Sequence, residues 1–268
     1  SCGGVLVLTD RRDPLTVCTL IQEHRVEVLP ASPTFLHFLC ISGVHENFDL
    51  SSLRIITYGS EPMNQITLDR LTALFPQVKI IQKYGTSEFG SPRALSQGNN
   101  SLWLKLKVDE LGAKVVNNIL WVKTETAMLG YLNAPSPFDD DGWLCTGDLV
   151  EQDGEWIRIR GRQSDIIIVG GEKVYPQEVE NAVLELDFVQ DVMVQGERHP
   201  LTGQIVTAKI NLSTSLDEKT VYKQVRQHCR KRLEPYKLPV KIEVITDTLS
   251  TTRQKKIRSC SGTNQSDI

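Results

Sequence analysis

Between residues 5 and 83 the chain alternates short β-branched runs with helical stretches, and this rhythm limits the fold more than any other feature. The strand-like runs are 5–8, 26–29, 53–58 and 78–83; between them lie 14–23, 33–41 and 63–74, with apolar residues at helical spacing. Asp13 before Pro14 marks a helix start, since its carboxylate can accept from first-turn amides and proline suits the first helical position. Parallel strands need a crossover, and a helix supplies it. The alternation therefore predicts an α/β layer with a largely parallel sheet.

From about residue 102 to 159 the pattern becomes short alternating runs (LWLKLKV, ILWVK, GEWIRIRG) separated by Gly, Asn and Asp. This predicts a small antiparallel or barrel-like β unit. Residues 161–165 (GRQSD) read as a junction. Beyond it a strand at 166–169 and the pair Gly170 and Gly171 precede a helix over 176–186, with Val179, Ala182, Val183 and Leu186 on one face. Further strands at 189–194, 205–210 and 240–244 and a helix over 220–233 complete an α+β module of roughly 100 residues. The domain reading is 1–163 (1–100 the α/β layer, 101–163 barrel-like), then 164–258, then a flexible polar tail over 259–268.

Composition excludes several function classes. A net charge of −3 over 268 residues argues against nucleic-acid binding, which favours a basic excess. No apolar run approaches the ~18 residues of a membrane-spanning helix. The six cysteines show no C-x-x-C spacing, so they read as free thiols of a reducing, cytoplasmic compartment rather than a zinc site or disulfide frame.

Four segments carry chemistry. Tyr84-Gly85-Thr86-Ser87-Glu88-Phe89-Gly90 follows a predicted strand, where α/β folds bind ligands. Its tyrosine offers a stacking face, its glycines allow close backbone approach, its hydroxyls can donate to phosphate, and Glu88 suits a hard cation. In Gly142-Trp143-Leu144-Cys145-Thr146-Gly147-Asp148 the aspartate can accept from a vicinal diol; it can equally close a hairpin. Arg160, Gly161 and Arg162, followed by Gly170 and Gly171, suit phosphate or ribose contacts and a mobile loop, or a plain charged linker. Ser250-Thr251-Thr252-Arg253-Gln254-Lys255-Lys256 is a basic run that, taken alone, reads as a solvated tail.

In this order and at these separations the four segments resemble the adenylate-forming superfamily of acyl-CoA synthetases, aryl acid ligases and peptide-synthetase adenylation domains. Pro33-Thr34, Gly130-Tyr131-Leu132-Asn133 and Pro235-Tyr236-Lys237-Leu238-Pro239 add to the resemblance. It implies the C-terminal part of the large adenylate-forming domain (an α/β layer plus a small β-barrel) followed by a hinged α+β domain. It also implies ATP-dependent activation of a carboxylic acid as an acyl-adenylate, then transfer to a thiol. ATP and Mg2+ are the implied cofactors, with CoA or a carrier's phosphopantetheine as acceptor.

Residue by residue, the resemblance implies that Tyr84 stacks on adenine, with Gly59, Ser60 and Glu61 beside it. Thr86 and Ser87 would contact phosphate, and Glu88 would bind magnesium. Asp148 would hold the ribose hydroxyls and Arg162 ribose or phosphate. Ser164 stands at the hinge. Gly170 and Gly171 would enter the site for the thiol step, Lys256 would bridge the acid and the α-phosphate, and Gly85 would flank the acyl pocket. Phe35 and His37 are candidate pocket liners, although a histidine on an apolar helix is more often a satisfied core residue. A fatty or aryl acid is favoured, because the pocket helix starts with no aspartate to grip an amino group.

The pattern also departs from the family. Residues 1–83 hold no Ser/Thr/Gly-rich phosphate loop ending in lysine, so the chain is expected to be the C-terminal portion of such an enzyme and weakly active alone. Ser250 stands where the family prefers Pro, Lys255 where it prefers Gly, Ser87 where it usually has Thr, and Asn118-Ile119-Leu120 where it has Gly-Glu-Leu. These departures leave open a carrier-loading enzyme, a non-catalytic relative, or one half of a split enzyme with a separate N-terminal half.

Overall fold

The computed structural model describes residues 3–107 and 112–246. Two compact units divide them: the first holds the residues up to 146 and 151–159, the second 147–150 and those from 160 onward.

The first unit opens with a βα layer. Helix α1 (Pro14–His24), strand β1 (Val28–Ala31), helix α2 (Pro33–Ser42), strand β2 (Ile55–Tyr58), helix α3 (Gln65–Leu74) and strand β3 (Lys79–Gln82) follow in order. The strands form a parallel sheet in the order β1-β2-β3, with Ala31 opposite Tyr58 and Tyr58 opposite Gln82. Each helix starts at a side-chain cap: Asp13 accepts from the Thr16 amide at 2.9 Å, Ser32 from Phe35 at 3.1 Å and Asn64 from Thr67 at 2.7 Å. Leu36, Leu39, Ile56, Leu68, Leu71 and Ile80 form the core between helices and sheet. Burial of each such side chain contributes roughly 1.5–3 kcal/mol. His37 belongs to this interior, with Nδ1 2.9 Å from the Thr67 hydroxyl, and Phe35 lies in the same core.

The strand expected at 5–8 does not form. Val5, Leu6 and Leu8 are exposed, and no described strand pairs with them. A β-branched run without a ladder partner has no reason to hold strand geometry.

A six-stranded sheet comes next, built from β4 (Ala94–Ser96), β5 (Trp103–Leu106), β6 (Gly112–Val116), β7 (Ile119–Lys123), β8 (Leu144–Asp153) and β9 (Trp156–Arg162). Its order is β4-β5-β9-β8-β7-β6, antiparallel at β4–β5, β5–β9 and β6–β7. Asn117 and Asn118, with φ of 52° and 64°, form the two-residue turn between β6 and β7. Asparagine tolerates the left-handed region that such a turn demands.

The second unit carries β10 (Ile167–Val169), β11 (Glu172–Val174), α4 (Pro176–Leu184), β12 (Val189–His199), β13 (Gly203–Leu212), α5 (Glu218–Cys229) and β14 (Lys241–Val244). The sheet order is β11-β10-β13-β12, and β14 pairs in parallel with β13. Val179 and Val183 from α4, Val192 and Val194 from β12, Ala208 and Ile210 from β13, and Val221 and Val225 from α5 are fully buried and form its core. The Glu180 carboxylate is buried as well and accepts from the Val194 amide at 3.0 Å, tying α4 to β12. Lys237 is buried between two carboxylates, 2.8 Å from Glu178 and 2.8 Å from Glu234.

Candidate functional site

Strands β2 and β3 run parallel, so both deliver their C-terminal loops to the same sheet edge; the Lys83 amide donates to the Tyr58 carbonyl at 2.7 Å and keeps them together past the last ladder pair. After β2 come Gly59, Ser60 and Glu61. Ser60 has φ 74°, a left-handed conformation that costs a non-glycine residue on the order of 1–2 kcal/mol. The Glu61 carboxylate accepts from the Thr34 hydroxyl at 2.8 Å, which links this segment to the first turn of α2.

After β3 comes the loop 84–90. Thr86 and Gly90 exchange backbone hydrogen bonds of 3.0 and 2.8 Å, closing a tight loop with Ser87, Glu88 and Phe89 at its tip. A Cβ at Gly85 would collide with the Gly90 carbonyl and stand 2.7 Å from Ser91 Cα, so only glycine fits there. Phe89 is buried and packs its ring 5.8 Å from that of Tyr84, which is itself 8% exposed. The tyrosine is thus braced on the core side, while Ser87 is exposed at the tip.

Glu88 is fixed from several directions. Its amide donates to the Thr86 hydroxyl at 3.2 Å, its carbonyl accepts from the Met128 amide at 2.6 Å, and its carboxylate accepts from the Tyr131 hydroxyl at 2.8 Å. Tyr131 and Thr34 are site residues that sequence reasoning did not assign. Their motifs, Gly130-Tyr131-Leu132-Asn133 and Pro33-Thr34, stood out in the sequence, but no spacing pointed from them to Glu88 or Glu61.

In the second unit Asp148, 6% exposed, lies on β8 just after Gly147, whose φ is 69°. Its carboxylate is 3.3 Å from Arg162 Nε at the end of β9. Ser164 lies in the short 3-10 turn Gln163–Asp165, and its hydroxyl donates to the Asp165 carboxylate at 3.1 Å. Gly170 and Gly171, with φ of 59° and 93°, form the two-residue turn of the β10–β11 hairpin. The glycine pair forms a tight turn, and β11, which sequence reading missed, forms its return arm.

The structure thus gathers the Gly59, Ser60 and Glu61 segment with the 84–88 segment, and Asp148 with Arg162. Lys256, Lys255 and Ser250 lie outside the described residues. Among the described residues no three His, Cys, Asp or Glu side chains converge as a metal site. Glu88 offers a carboxylate near the loop tip, the type of hard oxygen donor that a magnesium ion accepts, with its Oε1 bonded to the Tyr131 hydroxyl. Burial pushes the thiols of Cys18 and Cys229 up to about 11 and that of Cys40 to about 12, so none of the three offers a thiolate nucleophile near neutral pH. No described helix is long and apolar enough to cross a membrane.

Two family models match the chain. The one described as AMP-binding enzyme covers residues 1–132, and the one described as AMP-binding enzyme C-terminal domain covers residues 178–256. A long-chain-fatty-acid–CoA ligase of Bacillus subtilis is 29% identical over 279 residues, covering 96% of this chain and 49% of that enzyme. A ligase of the same description from Haemophilus influenzae is 29% identical, covering 94% and 47%. The chain therefore spans about half the length of the curated relatives it matches. Among solved structures, the anthranilate CoA ligase AuaEII in complex with anthranoyl-AMP superposes with a TM-score of 0.78 at 25% identity, covering 94% of this chain and 52% of that one. ATP-bound MatB from Rhodopseudomonas palustris superposes with a TM-score of 0.73 at 26% identity, covering 90% and 51%.

Proposed function

We propose, from the premise that this chain belongs to the AMP-binding enzyme family, that it supplies the C-terminal part of an ATP-dependent acid–thiol ligase. The fold is that of the adenylate-forming enzymes. The observation that carries the reading is the pairing of the segments after β2 and β3 at one sheet edge, with Glu88 held by Tyr131 at the tip of the second.

On this reading Tyr84, braced by Phe89, presents a ring face to adenine beside Gly59, Ser60 and Glu61. Thr86 and Ser87 donate to phosphate oxygens. Asp148 accepts from the ribose hydroxyls, and Arg162 holds that carboxylate in place and faces ribose or phosphate. Magnesium, when bound, neutralises charge on the leaving pyrophosphate, and Glu88 is the residue that would hold it. Lys256 brings a compact ammonium to the charge that gathers between acid and α-phosphate. Ser164 is the hinge of a mobile module over 164–258, and the Gly170, Gly171 turn enters the site for the thiol step.

An apolar carboxylic acid, fatty or aryl, is the favoured substrate and CoA the favoured acceptor. The named ligase activities of the relatives support both. The free, buried Cys18 and Cys229 support a reducing, cytoplasmic setting.

The test separates the two half-reactions in the enzyme that carries this chain. Lys256→Ala should lower ATP–pyrophosphate exchange by roughly 100-fold or more. Thioester formation from supplied acyl-adenylate should remain near the wild-type rate. Equal loss of both half-reactions would mean that Lys256 does not serve the adenylation step specifically.

A further inference from the structure

The hairpin that bears Gly170 and Gly171 is short, and its attachment to the rest of the sheet is unusual. The ladder between β10 and β13 consists of one residue pair, Val169 with Gly203. Where the next ladder bond would fall, a side chain takes over: Gln204 Oε1 on β13 accepts from the Ile168 amide at 2.7 Å. The same segment holds the turn itself, since the Gly170 amide donates to the Thr202 carbonyl at 2.8 Å. Thr202 is in turn fixed, donating its hydroxyl to the Gln204 carbonyl at 2.7 Å and lying 3.1 Å from His199 Nδ1.

The facing strand leaves room for this brace. A Cβ at Gly196 on β12 would stand 2.8 Å from Gln204 Nε2 and 3.1 Å from Ile167 Cγ2. Gly196 thus clears the space in which the Gln204 side chain crosses toward β10.

We propose that Gln204 is a positioning residue for the thiol-transfer step, acting through Ile168 to fix the Gly170, Gly171 turn. The inference rests on the proposed function, in which that turn enters the site for the thiol step. A two-residue turn on a hairpin with almost no ladder to its neighbour would otherwise sample several orientations, and a transfer step that depends on its placement would slow.

Two measurements separate the brace from its consequence. Amide exchange in the full chain is followed for wild type, Gln204→Ala and Gln204→Glu. The alanine variant should raise exchange at Ile168 and Gly170 by about tenfold, the effect of losing one hydrogen bond, while Val194 and Ala208 in the β12–β13 ladder stay unchanged. The glutamate variant keeps an acceptor oxygen and should restore protection at both positions. Unchanged exchange at Ile168 and Gly170 in the alanine variant overturns the brace, as does a rise spread evenly over β12 and β13.

The second measurement uses the enzyme carrying this chain, with decanoyl-adenylate and CoA as probes. Gln204→Ala should lower the thioester-forming kcat by about tenfold with the KM for CoA and ATP–pyrophosphate exchange unchanged, and Gln204→Glu should recover it. Loosened exchange with an unaltered thioester rate would overturn the thiol-step reading of the turn while leaving the brace in place.

Discussion

Lys237 shows how far a single residue's role can lie from its sequence signal. It stands in Pro235-Tyr236-Lys237-Leu238-Pro239, a motif legible as a family feature, yet nothing in that spacing says that the ammonium is buried between Glu178 and Glu234. Burial alone would lower its pKa, but the hydrogen bonds that the ammonium donates to the two carboxylates outweigh it and raise the group above the usual lysine range. A raised pKa adds stability that is complete below the unfolded value of about 10.4 and is lost as pH climbs through the folded value. Glu234 is lowered, chiefly by the Lys237 hydrogen bond, so its share is present above about 4.3 and lost as pH falls through its folded value. The pair should therefore act evenly between about pH 5 and 10. Lys237→Met should cost about 2 kcal/mol in urea unfolding near pH 7, because two carboxylates lose a buried partner. A loss below about 0.5 kcal/mol would mean that the ion pairs only offset their own desolvation. Tyr131 and Thr34 illustrate the same gap. Both motifs were visible, but their bonds to Glu88 and Glu61 join residues 43 and 27 positions apart, and no local pattern encodes that.

Elements were legible where local chemistry and tertiary packing agree. The α1 start at Pro14 and the α2 start at Pro33 were readable because proline at the first helical position marks both, with Asp13 as a cap before the first; the Ser32 cap of α2 emerges only in the structure. Strands β1, β2 and β3 emerged within two residues of their expected positions, since their short apolar runs lie between helices that force a parallel sheet. Strand β8 was not legible as a strand. Thr146, Gly147, Asp148, Glu151, Gln152 and Asp153 break any alternation, and the neighbours β7 and β9 impose the extended form. The run at 5–8 failed for the opposite reason: it has strand propensity without a described partner. For α3 the cap itself can be weighed. Asn64 accepts from the Thr67 amide at 2.7 Å, and Thr67 is the buried partner of His37. Asn64→Ala should cost about 1 kcal/mol, and Asn64→Asp or Asn64→Ser should recover most of it, as read from the urea midpoint at unchanged slope. A midpoint that stays at the wild-type value in Asn64→Ala would show that packing alone fixes the α3 start.

At the scale of the whole chain, the fold class was readable, because the change from strand–helix alternation to short alternating β runs and back marks each layer of the fold. The extent of each folded unit is a different matter, since it depends on which side chains share a core. In the second unit Val179, Val183, Val192, Val194, Ala208, Ile210, Val221 and Val225 are wholly buried, drawn from two helices and two strands that all lie after residue 175. Caps and ion pairs close within the same stretch: Asp217 caps α5 through the Thr220 amide at 3.0 Å, and Glu185 holds both His228 and Arg232. Such a set can bury its apolar surface without help from the βα layer, whose core is made of other residues. Limited trypsin digestion should therefore leave a resistant fragment beginning just after Arg160 or Arg162 and running at least to residue 244, the end of β14. That fragment, purified, should unfold in one cooperative urea transition with a slope of about 1 kcal/mol/M, suited to its small size. Digestion that instead runs through β12 and β13 as fast as through 3–13 would mean that the core after residue 175 does not hold alone. The proposed module boundary at Ser164 would then have to move toward the N-terminus, to take in β8 and β9 as part of the folding unit.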